Sequence, residues 1–134
     1  AQGHYFIDGA EELLETLYGQ YRMYLVTNGT LSVQKGRLKS SGISRYFEDI
    51  FISEELGYNK PGREYFNCCF SRIPDFHKET AVIIGDSLTS DIQGGINAGI
   101  RTIWFNPSHE KTSEIIPDHE FESLMKLPEL LSHI

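Results

Sequence analysis

Residues 81–95 read AVIIGDSLTSDIQGG. A short apolar run ends at Gly85, and two aspartates, Asp86 and Asp91, follow with hydroxyl residues between them. Four continuous apolar residues are too few for a helix and suit a strand buried on both faces. The small-residue stretch SDIQGGINAG then predicts a helix that packs closely on a sheet and stops at Gly99.

The same alternation repeats on both sides. Residues 9–20 space Leu13, Leu14, Leu17 and Tyr18 at helical intervals. Met23 to Val26 predict a strand, halted by Asn28-Gly29. Residues 32–42 predict a helix with Gly42 as its stop. Ile50 to Ile52 predict a strand, and a helix entered near Pro61 runs to about Ile73. RTIWFN (101–106) predicts a strand, 106–120 a surface loop, HEFES a short last strand and SLMKLPELLSHI a terminal helix. Continuous apolar strands alternating with helices indicate an α/β fold with a parallel sheet covered on both faces. Ligands bind such sheets beyond the carboxyl ends of the strands. Three polar features fall there: Thr27-Asn28-Gly29, the loop with Asn59 and Lys60, and Asp86 to Asp91.

Composition excludes several classes. The chain has 134 residues, 40% of them hydrophobic, with formal charge −7. Its 12 basic residues are scattered, which argues against a nucleic-acid surface. No apolar run approaches the ~20 residues needed to cross a bilayer, so no membrane partner is expected. Residues 1–10 have neither the basic start nor the apolar core of a signal peptide. The adjacent Cys68 and Cys69 are read as packed helix thiols, in keeping with a cytoplasmic protein. The histidines His4, His77, His109, His119 and His133 lack metal-ligand spacing. Trp104 and Phe105 read as core.

Each polar candidate also has an ordinary explanation. Asp86 and Asp91 could cap the following helix, Thr27 could belong to a turn, and Lys60 could be solvated. Two carboxylates bracketing a strand-to-helix turn are harder to explain by capping, and hard oxygen ligands there suit Mg2+. Lys60 is held next to a proline at a helix entry.

A hydroxyl, a lysine and an acidic pair in this order resemble the haloacid dehalogenase superfamily of phosphatases. LVTNG resembles its second motif, Lys60 in GYNKPGREYF its third, and IIGDSLTSDIQGGINAGIRTIWFNP its fourth with the strand beyond. The resemblance runs from about Phe6 to Pro107. Within the superfamily, GDSLTSDIQGGINAGI is most similar to bacterial 5′-nucleotidases acting on pyrimidine nucleoside monophosphates. The resemblance implies a three-layer, Rossmann-like parallel sheet and a Mg2+-dependent phosphomonoester hydrolase working through an aspartyl phosphate. It implies that Asp86 holds Mg2+ and that Asp91 supports the metal site or orients Lys60. Lys60 would neutralise phosphate and nucleophile charge, and Thr27 with Asn28 and Gly29 would bind the phosphoryl group.

The family's first motif, Asp-x-Asp, is absent from the sequence. If Asp8 were its second aspartate, the nucleophile would fall at Phe6, which cannot attack. Too few residues separate Asp8 from Thr27 for the usual intervening chain and cap. Asp8 is therefore read as a turn or capping residue in the return from the cap. The expectation is one incomplete core domain, 1–134, without its central first strand and cap. Each buried, unpaired backbone group at such a gap would cost ~1–3 kcal/mol. The chain is then expected to be part of a longer phosphatase, inactive alone, with the nucleophile segment supplied in cis or in trans, or to dimerise. A non-catalytic domain binding phosphate and Mg2+ is the alternative. A receiver domain ranks lower because no acidic pair lies near Asp8.

Overall fold

A computed structural model of the chain describes residues 10–112 and 114–134. Asp8, His4 and the return segment FIDGAEELL before residue 10 lie outside the described residues. The chain divides into two units, one ending at Leu56 and resuming at Leu124–Ile134, the other Gly57–Ser123.

The first unit contains helix α1 (Ala10–Leu17), strand β1 (Tyr24–Thr27), helix α2 (Leu31–Ser41), strand β2 (Asp49–Ile52), the single turn α3 (Ser53–Leu56) and helix α6 (Leu127–Ser132). β1 and β2 pair in parallel with Thr27 opposite Ile52, and α2 is the crossover that parallel pairing requires. The core gathers Leu25, Leu38, Ile43 and Tyr46, with Leu14, Met23, Phe47 and Ile50 packed on it. Leu13 and Leu17 of α1 are also buried, as the helical spacing predicts. Gly42 closes α2 in the left-handed conformation, φ 68°, and its N–H bonds Leu38 O.

The second unit contains helix α4 (Arg63–Ser71), strand β3 (Val82–Gly85), a π-helical turn (Leu88–Ile92), helix α5 (Gln93–Ala98), and strands β4 (Arg101–Phe105) and β5 (His119–Phe121). The parallel sheet order is β3-β4-β5. α5 needs its glycines. A Cβ on Gly95 would lie 2.5 Å from Ile83 Cγ2 and 2.6 Å from Thr102 Cγ2, and one on Gly94 would lie 2.9 Å from Phe66 Cζ. The small residues thus let α5 meet both sheet and α4. Asp118 Oδ2 accepts from the amide and hydroxyl of Thr102, which ties the chain into β5.

The α/β class with parallel strands is as the sequence predicts. Among the described residues, β1 has β2 as its only strand neighbour and β3 has β4 as its only one. Several local expectations are corrected. β1 lies one residue later than Met23–Val26. α4 starts at Arg63, behind Gly62, so Pro61 precedes the helix rather than opening it. SDIQGGINAG is not one regular helix, because the amide of Ile92 reaches back to Ser87 O at 3.1 Å and makes a π turn before α5. Ser53–Leu56 is helical where no helix was expected. The β3 faces are unequal: Ile83 packs against α5, whereas Ile84, on the opposite face, is 39% exposed.

Candidate active site

Thr27, Asn28 and Gly29 follow β1 in the first unit. Thr27 is buried, 1% exposed, and its hydroxyl donates to Asn28 O at 3.2 Å. The buried Gln34 of α2 donates to the same carbonyl at 3.2 Å. Gly29 has φ 139°, a conformation open to glycine, and a Cβ there would strike Gln34 Nε2 at 2.7 Å. Its N–H donates to Ser53 Oγ at 2.9 Å, and its carbonyl accepts from Ser53 Oγ at 3.2 Å and from Glu54 N at 3.3 Å. Glu54 Oε1 accepts from Leu31 N at 2.8 Å and so takes one of the amides left over at the start of α2. In this structure the Gly29 amide, which the resemblance assigns to phosphate, is engaged by Ser53.

Lys60, Asp86 and Asp91 belong to the second unit, and two of them meet directly. Lys60 Nζ donates to Asp91 Oδ1 at 2.6 Å, and both side chains are almost fully buried. Burial pushes the Lys60 ammonium below the ordinary lysine value. The charge of Asp91, its hydrogen bond and the charge of Asp86 act in the opposite direction. Asp91 is no helix cap. Ser87 takes that role, its Oγ accepting from Ser90 N at 3.3 Å. The π turn carries Asp91, and such turns recur at functional sites. The loop that presents Lys60 is anchored from α5, where Asn97 Nδ2 donates to Pro61 O at 3.0 Å and Gln93 steadies Asn97 Oδ1 at 2.8 Å.

Asp86 is the first residue beyond β3. Its main-chain carbonyl accepts from Trp104 Nε1 at 2.9 Å. Its half-buried carboxylate has the chemistry of a hard-cation ligand. Asp91 Oδ1 is occupied by Lys60. Among the described residues no three His, Cys, Asp or Glu side chains cluster as a metal cage. The Asp86 carboxylate at the strand end fits Mg2+, a hard cation that takes one or two carboxylates and fills its other positions with water and phosphate.

Ser53, Gln34, Asn97 and the Trp104 indole escaped the sequence reading. Ser53 lies in a stretch read as leaving a strand, and Asn97 in a helix read for its small residues. Trp104 is core as expected, but its ring nitrogen does more than fill space.

The family pattern for haloacid dehalogenase-like hydrolases matches residues 2–105. The chain belongs to this family. It is 48% identical over 132 residues to YfnB of Bacillus subtilis, named as a HAD-type hydrolase, covering 98% of this chain and 56% of that protein. A crystal structure of YfnB bound to magnesium superposes with TM-score 0.91, covering 93% of this chain and 55% of that one. The pyrimidine 5′-nucleotidase PynA of Streptococcus pneumoniae is 44% identical over 133 residues, 98% of this chain and 56% of PynA. The pyrimidine 5′-nucleotidase YjjG of Escherichia coli is 36% identical over 126 residues, 93% and 56% respectively. The chain thus spans about half the length of these relatives. Among the described residues, no helix is long and apolar enough to cross a membrane.

Proposed function

We propose that residues 1–134 are one incomplete core domain of a cytoplasmic, Mg2+-dependent phosphomonoester hydrolase acting on nucleoside 5′-monophosphates. The buried Lys60–Asp91 pair, 2.6 Å long, is the observation that carries this reading. A buried lysine held by a carboxylate at a strand end can present its charge to a bound phosphate without reorganising. Family membership and the two pyrimidine 5′-nucleotidase relatives support the substrate class.

The nucleophilic aspartate and the general acid come from a segment outside this sequence, joined in cis or supplied in trans. The aspartate attacks phosphorus, the nucleoside leaves with a proton from the general acid, and water cleaves the aspartyl phosphate. Thr27 transfers its hydroxyl hydrogen bond from Asn28 O to a phosphoryl oxygen, and the Asn28 amide donates alongside. Gly29 keeps the turn. Lys60 offsets the charge of the phosphate and the attacking carboxylate. Asp91 holds Lys60 in place, so its role is positioning and any support of the metal is indirect. Asp86 is the metal ligand of this chain, and bound Mg2+ supplies Lewis-acid stabilisation of phosphoryl oxygen charge.

The test is phosphate release from nucleoside monophosphates by the complete protein. Asp86→Asn and Lys60→Ala should each abolish it. Full activity in either variant would remove the assignment. The 134-residue chain alone should be inactive. Calorimetric binding of a nucleotide by the complete protein without turnover would favour the non-catalytic alternative.

A further inference from the structure

We propose that Trp104 is a positioning residue for the metal ligand Asp86, acting through its indole N–H rather than through its bulk. This rests on the reading of Asp86 as the Mg2+ ligand.

The register of the sheet sets up the contact. Trp104 on β4 stands opposite Gly85, the last residue of β3. From there its ring reaches one residue forward, and Nε1 donates to Asp86 O at 2.9 Å. Trp104 is 2% exposed. A buried indole has one donor and no acceptor, so its N–H has a single use and must be satisfied. Here it is spent on the main chain at the point where the strand ends and the polar turn begins. The paired strand holds the chain on the amide side of Asp86, so fixing its carbonyl as well fixes ψ of Asp86, and with it the direction of its Cα–Cβ bond. The point from which the carboxylate extends is thereby set before any cation arrives, leaving only its side-chain torsions to adjust. Phe or Tyr could fill much of the same volume, but neither has a donor at that ring position.

A supporting partner behind a metal ligand commonly changes metal affinity when it is removed. The experiment measures Mg2+ affinity by calorimetry on the complete protein, without substrate, alongside the unfolding midpoint. Three replacements are compared: Trp104→Phe, Asp86→Asn, and Trp104 replaced by benzothienylalanine, which keeps the shape and has sulfur for N–H. The benzothienylalanine protein should bind Mg2+ about tenfold more weakly at an unchanged unfolding midpoint. Trp104→Phe should show at least the same loss, and Asp86→Asn the largest. If the benzothienylalanine protein binds Mg2+ as tightly as the wild type while Asp86→Asn does not, the Trp104 inference is overturned and the Asp86 reading stands. If the wild type binds no Mg2+, or Asp86→Asn binds as well as the wild type, the metal reading itself falls and the inference with it.

Discussion

Gly85 and the Asp91 carboxyl share a space that admits no side chain: a Cβ on Gly85 would lie 2.6 Å from Asp91 Cγ and 2.7 Å from Asp91 Cβ. The strand end and the π turn are therefore fitted to one another, and the fit directs Asp91 towards Lys60. Gly85→Ala should displace the Asp91 carboxyl and lengthen the Lys60 contact. Overpacking of this kind costs roughly 1–3 kcal/mol. The expected outcome is a lower denaturation midpoint together with a large fall in phosphate release. Unchanged turnover in the Ala variant would show that Asp91 is not held by this packing.

The Lys60–Asp91 pair itself should behave as a unit. Removing one partner leaves the other buried and unpaired, which costs about 3–5 kcal/mol. Asp91→Asn and Lys60→Met should each destabilise by amounts of that order. The double variant Lys60→Met with Asp91→Leu should recover much of the stability and none of the activity. Additive losses in a double-mutant cycle would contradict the coupling.

Ser53 holds the turn after β1 in place by accepting the Gly29 N–H at 2.9 Å. Ser53→Ala leaves that amide without its acceptor, at a cost of about 1–3 kcal/mol if no water replaces it. Because the loop binds phosphate in the proposed function, KM should rise more than kcat falls. Steady-state kinetics of the complete protein separates the two effects, and an unchanged KM would detach Ser53 from substrate binding.

The two cysteines should differ in reactivity although they are adjacent. Cys69 is buried and its thiol is pushed up to about 12, mainly by desolvation, while Cys68 is half-buried. A thiolate is the reactive species, so iodoacetamide near neutral pH should label Cys68 and spare Cys69. Unfolding lets Cys69 lose its proton near the ordinary 9.0. Between that value and about 12 the unfolded chain binds fewer protons than the folded one, so stability falls as pH rises through this window. Cys69→Ala should flatten that alkaline decline, and peptide mapping of the labelled protein checks the selectivity.

Local chemistry determined much of this protein from sequence alone. Apolar runs marked β1, β3 and β4 to within a residue, because a short continuous apolar run bounded by turn residues is a local signal for a strand. Gly42 and Gly99 marked helix ends, because a left-handed residue is a backbone property. Asp86 and Asp91 stood out as carboxylates past a strand end, where an α/β fold binds ligands, and Lys60 as a cation held beside a proline at a helix entry. Tertiary structure alone decided which groups meet. Lys60 and Asp91 are 31 residues apart, and no periodicity relates them. Their contact depends on a π turn, on Gly85 lacking a Cβ and on Asn97 holding the Pro61 carbonyl. Trp104 reaches Asp86, and Ser53 takes the Gly29 amide, for the same reason: a hydrogen bond is set by position and direction to within a few tenths of an ångström, and only the packed chain supplies those.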